Sequence, residues 1–199
     1  MACFLVPQSL SFGQKRAEVF NKMILLLDIL LVAAVAYLTW FLATDYQTFQ
    51  GRLHMPFVLW TIDTIDLFIH EGGHFVFGFL GRMIYFMGGS LMQIVLPSLA
   101  VWVFLKSGFR TLTATLYWLG QNLVNVSVYI GDAPYKRLPL ISDSAIHDWN
   151  WIFNRLGDMS LASLVSETVF VVGIASCCGA LLTGVYFLIN DIKETFIIG

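Results

Sequence analysis

MPFVLWTIDTIDLFIHEGGHFVFGFL, residues 55–80, decides how the rest of the chain is read. It is largely apolar and long enough to cross a bilayer as a helix, which takes about 20 residues. Yet it carries Asp63, Asp66, His70, Glu71 and His74. An ionisable group at membrane depth costs about 2.5–3.5 kcal/mol on insertion scales. Five of them in one segment are hard to keep unless they serve a shared site.

Outward from this stretch the chain has the same apolar character. Of its 199 residues 58% are hydrophobic and 12% charged, where a soluble domain carries about 25% charged residues. A mean hydropathy of +0.77 agrees with a polytopic membrane protein. Apolar runs fall at about 23–43, 55–80, 88–105, 109–130 and 161–190. The expected fold is therefore all-α, a transmembrane bundle of about five spans with the His-Glu motif on the second. No repeat, low-complexity region or linker divides the chain, so residues 1–199 read as a single integral membrane domain. Residues 1–21 form a tail or an interfacial segment, and residues 132–158 a polar loop with a short helix through Leu156. A net charge of -2 leaves no basic surface for nucleic acid. Cys3, Cys177 and Cys178 contain no Cys-x-x-Cys spacing and read as unpaired.

Lys and Arg set the orientation. Lys15, Arg16, Lys22, Arg82, Lys136, Arg137 and Arg155 fall on one side, and Arg52, Lys106, Arg110 and Lys193 on the other. That asymmetry favours a cytoplasmic N-terminus. Small size and the lack of a targeting signal point to a bacterial inner membrane.

His70 and His74 are four residues apart, so a helix brings both imidazoles to one face. Two neutral imidazoles can bind one Zn2+ at about 2.0–2.1 Å. Glu71, beside the first ligand, points past the metal and suits the general base for a water whose pKa the metal lowers to about 7. Gly72 and Gly73 serve close helix packing or leave room for a substrate backbone. Asp63 and Asp66 lie on roughly the same face, where a carboxylate can accept the free N–H of a ligating imidazole. A catalytic zinc takes three protein ligands and keeps one position open. His147 is the favoured third ligand, because imidazole binds zinc well and the chain has four histidines. Asp132 and Asp148 are the alternatives, and Glu167 is a further carboxylate within the fifth run. Asn122, Asn125, Tyr129 and Asp132 form a polar stripe at helical spacing, with Asn122 and Asn125 as supporting groups or as partners in interhelical hydrogen bonds.

A His-Glu-x-x-His motif inside an apolar span resembles the site-2 protease family of intramembrane zinc metallopeptidases. The resemblance is firm over about residues 66–81 and faint as far as 132. It implies that His70 and His74 are ligands, that Glu71 is the catalytic base, and that a distant Asp, by analogy Asp132, completes the site. Gly88-Gly89-Ser90 is similar to the family's glycine-rich segment and would be a turn that offers a strand edge to an unwinding substrate. Substrates would be membrane proteins or peptides, met within the lipid bilayer. A zinc hydrolase acting on a lipid or another amide is the second reading, with Lys136-Arg137 available for a headgroup phosphate. A non-catalytic membrane scaffold is the third, and an intact Glu71 speaks against it.

Overall fold

The computed structural model describes residues 12–47, 54–107, 111–142 and 144–198. Cys3, the short apolar run from Ala2 to Leu10, Arg52 and Arg110 lie outside them. Among the described residues the chain is helical, without strands. Five long helices follow the five apolar runs: α1 (Phe12–Thr44), α2 (Phe57–Phe77), α3 (Arg82–Ser107), α4 (Thr111–Asp132) and α6 (Leu161–Lys193). The short helix α5 (Asp148–Leu156) stands in the polar connection, and a π-helical turn, Glu194–Ile198, extends α6. Residues 12–21, expected in a tail, are the first turns of α1.

Three helices are long and apolar enough to cross a membrane, over Glu18–Thr44, Arg82–Leu105 and Leu161–Phe196. Helices α2 and α4 are long enough but more polar, the first through Asp63, Asp66 and Glu71, the second through Gln121, Asn122 and Asn125. Asp63 and Asp66 are turned toward α4. Gln121 Nε2 donates to Asp63 Oδ1 at 2.7 Å, and Trp118 Nε1 donates to Asp66 Oδ1 at 3.1 Å. Meanwhile Phe68, Phe75 and Phe79 are exposed on the outside of α2 and its 3-10 extension. Apolar outside and polar inside is the reverse of what water selects.

Helix α4 is the centre of the bundle. It packs most extensively on α6 and also on α3, while α2 lies against α3 and α1 against α6. The α4–α6 approach is set by glycine: a Cβ at Gly120 would sit 2.7 Å from the Gly173 carbonyl oxygen, and one at Gly173 2.9 Å from that of Gly120. Small residues that let backbones touch are the usual basis of helix association in lipid. Around this contact Leu42, Leu59, Tyr117, Val124, Cys177 and Ala180 form the main apolar core. Cys177 is buried and Cys178 exposed, and both are free thiols.

Candidate metal centre

His70 and His74 lie one turn apart on α2, with ring centroids 4.8 Å apart. Asp148, the first residue of α5, reaches between them. Its Oδ2 is 2.9 Å from His70 Nε2 and 3.3 Å from His74 Nε2. One ligand atom from each of the three falls within 4.8 Å of the other two, and the group is the candidate metal-holding cluster among the described residues. The site opens on a cavity of about 580 Å³, whose wall includes Glu71, Tyr85, Tyr129 and the apolar loop Leu138–Ile141.

The donor set suits a divalent transition metal. Each imidazole uses its Nδ1 away from Asp148: that of His70 stands 2.9 Å from Gln93 Oε1, and that of His74 2.8 Å from the Tyr85 carbonyl oxygen. Both partners accept hydrogen bonds, so both Nδ1 atoms carry hydrogen, and each Nε2 is left to face Asp148, where a metal ion would take its lone pair in place of the hydrogen bond to the carboxylate. This is the arrangement by which outer groups fix the tautomer of a ligating histidine. Burial pushes the Asp148 carboxyl up, but hydrogen bonds from His70 and His74 outweigh it and hold the group below the ordinary carboxylate value. It is therefore an anion at neutral pH. Two imidazole nitrogens and one carboxylate oxygen match a three-ligand catalytic zinc site.

The residue brought to the two imidazoles is Asp148, one of the two alternatives for the third ligand, and not the favoured His147. Neighbours in a helix point about 100° apart, so only one of the pair can face His70 and His74. The start of α5 decides which. His147 is its N-cap, accepting the Asn150 N–H on Nδ1 at 3.3 Å. Its ring stacks on Tyr129, centroids 4.3 Å apart, and its Nε2 faces Asp132 at 3.4 Å. Burial holds the imidazole below its ordinary pKa, against the pull of Asp132 and Asp148. Asp148 then falls in the first turn, where a carboxylate suits the positive end of the helix. Trp149 donates to Ser90 Oγ at 3.0 Å, Asn150 donates to the Ala133 carbonyl at 2.8 Å, and Trp151 stacks on Phe86. Together these contacts seat α5 on α3 and the end of α4.

Asp132, the other alternative, is occupied as a loop clamp. It accepts the backbone N–H groups of Arg137 and Leu138 at 3.0 and 2.9 Å. Glu167 is exposed on α6, bonded to Ser163. Neither Asp63 nor Asp66 accepts from an imidazole. Tyr46 OH donates to Asp63 at 2.9 Å, and Asp66 is buried against Trp118. Asn122 bonds to the Trp118 carbonyl and Gln121. Asn125 is tied to the site at one remove, accepting from Gln93 Nε2 at 3.1 Å. Gln93 is the supporting residue that sequence reasoning missed, although a lone amide in the apolar run of α3 was the available signal.

Gly88-Gly89-Ser90, expected as a turn with a strand edge, lies inside α3. Its glycines serve a helix crossing instead. A Cβ on Gly88 would stand 2.8 Å from the Gly73 carbonyl oxygen, and one on Gly89 would overlap the His70 ring. Of the two motif glycines, Gly73 is the one in this contact, whereas a Cβ at Gly72 would meet nothing within 4 Å. Compared with protein-family models, curated protein sequences and solved structures, the chain finds no match.

Proposed function

We propose that the chain is a membrane-embedded zinc metallopeptidase that hydrolyses peptide bonds in or near the bilayer, of the kind the site-2 protease resemblance implies. The observation that carries this reading is the convergence of His70, His74 and Asp148 on the wall of a cavity that Glu71 also lines. Two helical turns and a separate short helix build that cluster. A merely structural polar contact needs neither three metal-type donors nor a neighbouring carboxylate beside open space.

A bound Zn2+ would supply a Lewis acid that lowers a water's pKa to about 7 and polarises the scissile carbonyl. Asp148 and the Nε2 atoms of His70 and His74 would hold it, and the Nδ1–H contacts keep the rings from turning. Glu71 takes one proton of the attacking water and returns it to the amine nitrogen as the C–N bond breaks, leaving a carboxylic acid and an amine. The apolar loop Leu138–Ile141 faces the ligands across the cavity and suits an apolar peptide segment. Among the described residues that line the cavity there is no lysine or arginine. Arg137 lies over the Tyr135 ring. A phosphate headgroup would therefore meet no lysine or arginine on this described wall, which favours peptide over phospholipid.

In this reading α2 and α4 are the remaining two of five spans, because Gln121 and Trp118 of α4 donate to Asp63 and Asp66 of α2 inside the bundle. The excess of Lys and Arg puts the N-terminus in the cytoplasm of a bacterial inner membrane. The test is direct. Protein purified in detergent should carry close to one zinc per chain, and Glu71→Gln should keep the zinc and lose cleavage of a panel of membrane-protein substrates. Unchanged cleavage by Glu71→Gln would reject the base, and turnover confined to phospholipid vesicles would reject the peptidase.

A further inference from the structure

We propose that Gln93 is a positioning residue for His70, the last link of a one-way hydrogen-bonded chain that starts at the Asp63 carboxylate and passes through Tyr46 and Asn125. The inference rests on the metal-centre reading and goes beyond it, since none of these four residues touches the metal position.

The direction of the chain follows from what each group can donate. A carboxylate only accepts, so Tyr46 OH donates to Asp63 Oδ2, at 2.9 Å. That hydroxyl has then spent its hydrogen and accepts from Asn125 Nδ2, at 2.7 Å. With its amide nitrogen committed there, Asn125 presents Oδ1 to Gln93 Nε2, at 3.1 Å. Gln93 is left with Oε1 facing His70 Nδ1, at 2.9 Å. An acceptor at that place demands a hydrogen on Nδ1, which leaves Nε2, on the side of Asp148, as the nitrogen whose lone pair a metal ion would take. Four hydrogen bonds thus carry the choice of tautomer from a carboxylate to a ligand across the end of α1, α4, α3 and α2. Gln121 holds the other oxygen of Asp63 at 2.7 Å, which keeps the start of the chain from rotating. Gln93 and Tyr46 are 3% and 2% exposed, and Asp63 and Asn125 are half-buried on the cavity wall. Hydrogen bonds in series also polarise one another at low dielectric, which raises the basicity of the Nε2 lone pair.

The test uses full-length protein in detergent, stripped by chelator and titrated with Zn2+ alone or Co2+ alone. Gln93→Leu should weaken Zn2+ binding by about 10- to 100-fold, the usual effect of losing a group behind a ligating histidine. Gln93→Glu keeps an acceptor for Nδ1–H but cannot donate to Asn125 Oδ1, and should bind Zn2+ with an affinity between those of Gln93→Leu and the wild type. Tyr46→Phe, three links away, should weaken it by roughly two- to tenfold, the worth of one hydrogen bond. The visible spectrum of the Co2+ form should shift in Gln93→Leu, as a ligand field does when one ring turns. Wild-type affinity and spectrum in both Gln93→Leu and Tyr46→Phe would overturn the proposal. A readout without any variant is the 15N-histidine spectrum of the zinc-loaded wild type. His70 should bind through Nε2 with a protonated Nδ1, and binding through Nδ1 would overturn the proposal even if the variants failed to fold. A wild-type protein that takes up neither metal would instead reject the metal centre itself.

Discussion

Gly89→Ala adds one methyl group to a helix interior, where it ordinarily gains about 1 kcal/mol of helix propensity. Here the methyl has nowhere to go. Its carbon would stand 2.5 Å from Cδ2 of His70 and nearer still to Cε1 and Nε2, whereas carbon atoms rest at about 3.5–4.0 Å. The ring must therefore retreat by about 1 Å. It is held on both sides, by Gln93 at 2.9 Å and Asp148 at 2.9 Å, so a shift of that size breaks at least one of the two contacts. Metal-ligand distances tolerate only about 0.2 Å. Zinc affinity should accordingly fall by about 100-fold or more, the upper range for disturbing a ligating histidine, which corresponds to about 3 kcal/mol. The assay is titration of stripped protein with zinc in competition with a chromophoric chelator, with thermal melts to follow the fold. Gly72→Ala is the control: a Cβ there meets nothing within 4 Å, so zinc binding should be unchanged. Wild-type zinc affinity in Gly89→Ala would refute the placement of α3 against the His70 ring, and with it the reason for a glycine at this position.

Three further outcomes follow from the geometry. Asp148→Ala should abolish tight zinc binding while His147→Asn keeps it, because Asn still caps α5; metal content by elemental analysis separates the two. Burial holds His147 below its ordinary value, against Asp132 and Asp148, so the unfolded chain takes up its proton more readily. The resulting stability is full above the unfolded value of about 6.5 and is lost as pH falls below it. His147→Asn should therefore show a shallower fall in melting temperature from about pH 7 to about pH 5 than the wild type; equal slopes would contradict the buried neutral imidazole. Gly173→Ala drives a methyl to 2.9 Å from the Gly120 carbonyl oxygen, and should cost about 1–3 kcal/mol through overpacking, read as a lower melting temperature with zinc binding preserved in the protein that remains folded.

How much of this was legible depends on how local each feature is. The five long helices follow runs of apolar residues: the ends of α2, α4 and α6 lie close to those of their runs, with Leu161 as the first residue of α6 and Leu156 as the last of α5, whereas α1 begins at Phe12, well before its run at about 23–43. The His70-Glu71-His74 spacing is a property of one helix and needs no partner to be recognised. Features that depend on two elements meeting were harder. Helix α3 begins at Arg82 and not at Gly88, because paired glycines suggest a turn when their neighbour across the crossing, Gly73, is not in view. The choice between His147 and Asp148 turns on which residue caps α5, a matter of one position along the chain and about 100° around a helix. Asp63 and Asp66 share a helix with the ligands, and that proximity in sequence suggested direct contact. The imidazole Nδ1 atoms instead face α3, where Gln93 and the Tyr85 carbonyl stand, and nothing in the spacing of α2 encodes that.

The polar interior of this bundle is costly in a way that bears on its purpose. Asp66, His70, Gln93, Gln121, Asn122 and Asp148 are all buried among helices whose outer faces are apolar. Replacing such a network with apolar residues of similar volume is often neutral or stabilising, so stability alone gives no reason to keep it. Helix association in lipid does not require it either, since the Gly120–Gly173 contact does that with small residues. What the network does uniquely is set orientations. Asp63 restrains Tyr46 and Gln121, Tyr46 restrains Asn125, and Gln93 restrains a ring whose other nitrogen faces Asp148. A row of amides and hydroxyls that ends on an imidazole nitrogen fixes which lone pair that imidazole offers, and this is the demand a metal ion would make on the His70–His74–Asp148 group, which could hold one.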